Sequence, residues 1–335
     1  MAKPKTYALG IDLGGTKALA AVVDIVSGEV IASVRKRTRA ERGQDFVARR
    51  ILELASAALS NAKLVDDDIV AIGVGAAGQI DRKAGILLNS PNMPLCDLPL
   101  GQLLGKQFNK PVMVGNDVEV AAIGEYRYGA GKGYRNFVCV FVGTGIGCGI
   151  VQNGQLYTGM TGTAGEVGHM VIEAGGRICG CGGRGCLEAY ASRTAITKAI
   201  LAEIHHGRPS VLSKDVQGLV KEGDTIIRSG ILADAIQQKD ELVIEAVSEA
   251  ANYLGYGLAS ILNFYNPECL ILGGGVTEAI DLLFETAVHR TRTVALSLPA
   301  KQTPILRTKL GDFSGVVGAA CLGAQATGYS FASGK

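Results

Sequence analysis

The chain has 335 residues and a formal net charge of +2, and 47% of its residues are hydrophobic. That length suits two domains with their own cores, and that hydrophobic content excludes an extensively disordered protein. The balanced charge leaves no electrostatic footprint for nucleic acid. No apolar run is long enough to span a bilayer and no secretory signal opens the chain, so no membrane partner and a cytoplasmic location are expected.

In chain order, Tyr7 to Ile11 reads as a strand, followed by a glycine turn and two further strands at 18–24 and 29–37. The third carries the basic run Arg35-Lys36-Arg37-Thr38-Arg39, whose alternation fits a solvated strand face. Helical periodicity over 45–59 leads to a buried strand at 69–74 that ends in Gly75-Ala76-Ala77-Gly78. A strand at 111–115 and a helix at 118–128 complete an α/β succession. A second α/β unit opens near Asn136 with strands at 137–142 and 148–151 around the turn Gly143 to Gly147. Helices at 193–205 and 241–263 follow, then strands at 270–272 and 304–307, and an Ala- and Gly-rich helix at 316–327. The strand, glycine turn and strand at the head of each half are an internal echo, which suggests duplicated domains closing over one ligand.

His169, Cys179, Cys181 and Cys186 form the densest chemical signal. Three thiols and an imidazole are the ligand set of a closed structural zinc site, and the intervening glycines let the backbone fold around one ion. Such a knuckle, at 169–186, would pin Glu166 and Glu188 where they face a polyhydroxylated ligand. Cys139, Cys148, Cys269 and Cys321 sit singly in apolar runs and read as buried reduced thiols.

Asp12 ends the first strand, where a carboxylate would hold Mg²⁺ through water. Beyond it Gly14, Gly15, Thr16 and Lys17 offer donors to phosphate oxygens, although a plain hairpin explains the same turn. Its spacing is neither a Walker loop nor a dinucleotide fingerprint. The second turn, with Thr144 and Gly145, offers another backbone cradle or another tight hairpin. Gly273, Gly274 and Gly275 leave room for a flat nucleoside, or for a helix packed closely on the sheet. Asn116 and Asp117 open a helix, and Asp117 fits an N-cap as well as a general base for phosphoryl transfer.

Taken together, Asp12 to Lys17, Asn116-Asp117, Gly143 to Gly149 and the run from Gly165 through the Cys-x-Cys-Gly-Gly-Arg-Gly-Cys segment to Glu188 resemble the ROK family of repressors and sugar kinases. The likeness runs from near residue 7 to about residue 325. It implies an actin-like ATPase (ribonuclease H-like) fold in two α/β domains, with ATP and sugar in the cleft. The expected division is 1–118, completed by the C-terminal helix at 315–330, and 119–314. Asp117 resembles the family's catalytic base. Gly78, Asn116, Glu166, His169 and Glu188 resemble its sugar-binding residues, so that His169 serves both zinc and sugar. Gly14, Thr16, Lys17, Thr144 and Gly145 match the phosphate loops, and Gly273 to Gly275 the adenosine region.

The resemblance therefore implies an ATP- and Mg²⁺-dependent hexokinase with structural Zn²⁺, acting on the 6-hydroxyl of glucose as a homodimer or homotetramer. The alternatives are a kinase for N-acetylmannosamine, N-acetylglucosamine, mannose or fructose. Another class is a sugar-responsive repressor, which would need a helix-turn-helix ahead of a first turn that here arrives by residue 12. One departure is Ala77, where many relatives carry Pro, a change of loop stiffness beside the sugar.

Overall fold

The computed structural model describes residues 6–91, 93–213, 226–329 and 331. These form two compact units. The first takes in the described residues up to Arg135, together with Gly149–Thr163 and the chain from Thr308 onward. The second comprises Asn136–Cys148 and the described part of Ala164–Arg307.

In the first unit β1 (Tyr7–Leu13), β2 (Lys17–Asp24) and β3 (Val30–Arg37) run antiparallel in succession. Helix α1 (Gln44–Asn61) leads to β4 (Ile69–Ala76). A small sheet of β5 (Gln79–Asp81), β6 (Ile86–Ser90) and β7 (Met93–Leu98) follows, then α2 (Leu100–Phe108), β8 (Val112–Asn116) and α3 (Asp117–Tyr128). The main sheet has the order β3-β2-β1-β4-β8, with β1, β4 and β8 parallel. β1 and β4 are apolar nearly throughout because both sheet faces are covered. On one face α1 packs Val47, Ile51, Leu54, Ala55 and Ala58, spaced as a helical stripe. The edge strand β3 alternates half-buried and exposed residues, as the basic run suggested.

The second unit opens with β9 (Phe137–Val142) and the start of β10 (Ile146–Gln152); from Gly149 the rest of β10 and β11 (Gln155–Leu156) belong to the first unit. The second unit continues with α4 (Glu188–Ala191), α5 (Arg193–His205), α6 (Ser229–Gln237) and α7 (Glu241–Tyr265). The chain then forms β12 (Cys269–Gly273), α8 (Gly275–Ala279), α9 (Asp281–Val294), α10 (Ser297–Gln302) and β13 (Ile305–Arg307). The second five-stranded sheet has the order β11-β10-β9-β12-β13, with β9, β12 and β13 parallel. Position for position this repeats the first sheet, so the echoed glycine turns mark a repeated topology.

The chain returns to the first unit to form α11 (Ser314–Gln325), buried on every side from Ser314 to Ala324. Its small residues let its backbone lie directly on the sheet. A Cβ on Gly10 would stand 1.9 Å from the Val316 carbonyl oxygen, and one on Gly73 1.7 Å from that of Ala319. Glu125, fully buried on α3, accepts the N–H groups of Ala130 (2.8 Å), Lys309 (3.0 Å) and Leu310 (3.0 Å) and the Ser314 hydroxyl (2.8 Å). These bonds bind α3 to the returning chain, so the first unit runs past residue 118 and holds all of α3. No helix among the described residues is long and apolar enough to cross a membrane.

Candidate functional site

The carboxyl ends of the parallel strands in the first unit gather the expected phosphoryl-transfer residues. In register, Asp12 on β1 pairs with Gly75 on β4, and Ala76 on β4 with Asn116 on β8. Ends of parallel strands are where open α/β sheets bind ligands. Burial, and then the Asp117 carboxylate beside it, raise Asp12 to about 7 against the pull of Lys17.

The capping task at α3 falls to Asn116 rather than to Asp117. The Asn116 Oδ1 accepts the N–H groups of Val118 (3.1 Å) and Glu119 (3.4 Å), and its Nδ2 donates to the Gly78 carbonyl at 3.2 Å. Asp117 is the first helical residue. Gly78 has φ 144°, and a Cβ there would stand 2.1 Å from the Asn89 carbonyl oxygen, so only glycine serves.

The first glycine turn is a tight hairpin between β1 and β2 with Gly15 and Thr16 at its tip. The Gly14 N–H donates to the Lys17 carbonyl at 3.1 Å, and the Thr38 hydroxyl donates to Gly14 at 2.7 Å. Lys17 Nζ lies 3.0 Å from Asp312 Oδ1, and Arg35 Nη2 lies 2.8 Å from Asp312 Oδ2. Against its burial, these two cations hold the Asp312 carboxyl below its ordinary range.

In the second unit the ligand atoms of His169, Cys179, Cys181 and Cys186 all lie within 4.8 Å of one another. The Cys181 and Cys186 sulfurs are 3.8 Å apart, and Cys179 Sγ is 3.7 Å from His169 Nδ1. A tetrahedron with zinc–sulfur bonds of about 2.3 Å has edges of about 3.8 Å, so this donor set fits zinc. Burial raises Cys179 to about 12 and also raises Cys186, whereas the Gly183 N–H lowers Cys181. Buried thiols of this kind give up their protons when a cation binds. The other ring nitrogen of His169, Nε2, stands 3.9 Å from Glu166 Oε2.

Glu188, two residues beyond Cys186, places Oε1 3.8 Å from Cys179 Sγ, while its Oε2 accepts the Ile146 N–H at 2.9 Å. The expected zinc, sugar and second-turn residues of this unit are thus contiguous. Thr144 is gripped by α5: Arg193 Nη2 donates to its hydroxyl at 2.8 Å, and the Thr194 hydroxyl donates to its carbonyl at 2.7 Å. Gly273 pairs with Phe141 at the ends of β12 and β9. Gly274, at φ 92°, presses on the Val142 backbone, and α8 starts at Gly275, so a glycine-opened helix follows the strand.

Several supporting residues escaped sequence reasoning. Arg82 pairs with the buried Glu119, two residues past Asp117, and burial raises the Glu119 carboxyl although Arg82 lowers it. Asn116 and Glu119 have the spacing of a capping box, which signals a helix start but not this ion pair. Asp312 has no local signal, because its partners lie 277 and 295 residues away. Cys139, Cys148, Cys269 and Cys321 are buried and in no disulfide among the described residues, as their apolar neighbours implied. His205, His206 and His289 are exposed.

Comparison with known proteins places these features in context. The model of the ROK family matches residues 8–326. A glucokinase of Thermotoga maritima is 34% identical over 322 residues, covering 95% of this chain and 98% of its own. The crystal structure of a ROK family glucokinase from Streptomyces griseus, in complex with glucose and AMPPNP, superposes with a TM-score of 0.81 at 31% identity. That match covers 95% of this chain and 99% of the other. A xylose repressor of Caldicellulosiruptor bescii is 29% identical, covering 83% of this chain and 68% of its own. The mixed α/β sheets together with these neighbours identify the actin-like ATPase fold.

Proposed function

The chain belongs to the ROK family, and from that premise we propose that it is an ATP-dependent hexokinase acting on the 6-hydroxyl of glucose. The observation that carries this reading is the carboxylate pair Asp12 and Asp117 at one end of the first sheet, close enough for one charge to raise the other's pKa. Phosphoryl transfer uses one carboxylate to orient and deprotonate the nucleophile and another to hold a divalent cation. In this reading Asp117 takes the proton of the 6-hydroxyl as that oxygen attacks the γ-phosphorus and the bond from that phosphorus to ADP breaks, and Asp12 would hold Mg²⁺ through water. Bound Mg²⁺ would offset charge on the transferred phosphoryl group.

Gly15, Thr16, Lys17, Thr144 and Gly145 donate to phosphate oxygens, with Gly14 shaping the first turn beneath them, and Gly273, Gly274 and Gly275 lie along the adenosine. Glu166, Glu188 and His169 of the second unit are read as sugar-hydroxyl ligands, and Asn116 and Gly78 of the first unit as sugar-binding residues as well. Zinc on the three thiolates and His169 Nδ1 would fix that imidazole with Nε2 directed outward.

Glucose is favoured by the glucokinase relative and by the glucose complex of the Streptomyces griseus structure. The same side chains suit hydroxyls shared by mannose, fructose and the N-acetylated hexosamines. The xylose repressor relative supports a sugar-responsive regulator as the reading of another class. A coupled ADP-release assay with Mg·ATP separates these readings across the five sugars. Glucose should turn over fastest, and Asp117→Asn should lower kcat by about 10²–10⁴-fold while glucose affinity survives. Preference for an N-acetylated sugar would move the substrate and keep the chemistry. Silence across the panel would overturn the kinase, and full turnover in Asp117→Asn would remove that residue from the role of base.

A further inference from the structure

We propose that Glu188 is a positioning residue that ties the Cys₃His cluster to the second glycine turn, so that metal binding and nucleotide binding are coupled. The inference rests on the reading of that turn as a phosphate site. Glu188 follows Cys186 by two residues, and the Leu187 N–H between them donates to the Met170 carbonyl at 2.9 Å. Its backbone is therefore leashed to the ligand cluster. Its carboxylate is pressed on the turn: Oε2 accepts the Ile146 N–H at 2.9 Å, and a Cβ on Gly145 would stand 2.3 Å from the same oxygen. Gly145 therefore leaves the room that this carboxylate occupies.

The turn is held from the same stretch of chain a second time. The Arg193 N–H donates to the Gly143 carbonyl at 3.0 Å, its guanidinium donates to the Thr144 hydroxyl, and the Thr194 hydroxyl donates to the Thr144 carbonyl. A hydroxyl has one proton and two lone pairs. With Arg193 on a lone pair, the Thr144 proton is directed elsewhere, as a phosphate oxygen requires. One short run from Cys186 to Thr194 thus sets both the metal cluster and the donors of the turn. A shift at the thiolates is carried to Ile146 through a single carboxylate. By linkage, whatever the metal adds to nucleotide affinity the nucleotide adds to metal affinity.

The test is calorimetric titration with Mg·ADP in the absence of sugar, paired with hydrogen exchange at the Ile146 amide. It compares the zinc-loaded protein, the chelated protein, Glu188→Ala and Glu188→Gln. Loss of a charge-assisted bond predicts that Glu188→Ala and chelation each weaken Mg·ADP by about tenfold or more and speed Ile146 exchange. Glu188→Gln keeps an acceptor for that N–H and should stay within about threefold of the parent on both readouts. A Glu188→Ala protein that retains zinc, with parental Mg·ADP affinity and Ile146 protection, would overturn the link. So would chelation that changes neither. If the parent binds no Mg·ADP, the nucleotide reading of the turn fails and the coupling fails with it, while Ile146 exchange still reports the hydrogen bond.

Discussion

A carboxyl group at a strand end takes its character from what packs on it. Asp12 has an ordinary value of 3.8 and is raised to about 7, first by burial and then by Asp117. Part of that burial is α11, since a Cβ on Gly315 would stand 3.0 Å from the carboxyl carbon of Asp12. The sign follows from linkage: the folded state binds this proton more tightly than the unfolded chain does. Its contribution to stability is full below about pH 4 and is lost as pH rises through about 7. The parent should therefore lose thermal stability relative to Asp12→Asn between pH 5 and pH 8. Mg·ADP should flatten that difference by favouring the ionised carboxylate. Melting temperatures of the two proteins across this range, with and without Mg·ADP, measure it. A constant difference would mean that Asp12 is ionised throughout.

At the scale of elements, the first unit depends on α3 and α11 lying backbone against backbone, and the buried Glu125 carboxylate closes that joint. Removing it would leave the N–H groups of Ala130, Lys309 and Leu310 without their acceptor. Glu125→Ala should lower stability by about 2–5 kcal/mol, read as a urea midpoint, with Glu125→Gln recovering part of the loss. A shift below about 0.5 kcal/mol would show that water replaces the carboxylate at no cost.

This joint was invisible in the sequence, whereas the strands around it were not. β1, β4, β9 and β12 are legible because burial on both faces demands continuous apolar runs. The small sheet of β5, β6 and β7 is short and mixed in exposure, so no period marks it. The same rule divides the candidate site. Thiols and glycine turns announce their chemistry locally, and His169 with the three cysteines proved to share one cluster. Glu125, Glu119 and Asp312 draw their meaning from partners up to 295 residues away.

At the scale of the molecule, two units share a sheet plan, but among the described residues only the second carries a Cys₃His cluster. How much a metal bound there would stabilise depends on what else holds the knuckle at 169–186 in place. Val171 and Ile178 are 63% and 66% exposed, so its two flanks bury little apolar surface. By contrast, the strands β9 and β12 are almost wholly buried and need no ion. Between these extremes lies an aromatic clasp. The Tyr190 and Tyr253 rings stand 4.3 Å apart, the Arg177 guanidinium covers Tyr190, and the Tyr253 hydroxyl donates to Glu173 at 3.0 Å. The clasp fixes the base of the knuckle to α7 without any metal ligand.

Removing the ion should therefore loosen the tip and spare the body. The protein should release one equivalent of zinc on chelation, and Cys181→Ser should hold less than the parent. Far-UV circular dichroism should barely change, while hydrogen exchange rises within 169–188 and at the Ile146 amide and stays at parental levels in β1, β4, β9 and β12. Glucose affinity should fall with the metal, because His169 and Glu188 lose their fixed frame. Cooperative loss of the whole second unit on chelation would show instead that the metal, and not the sheet, supplies the stability of that unit.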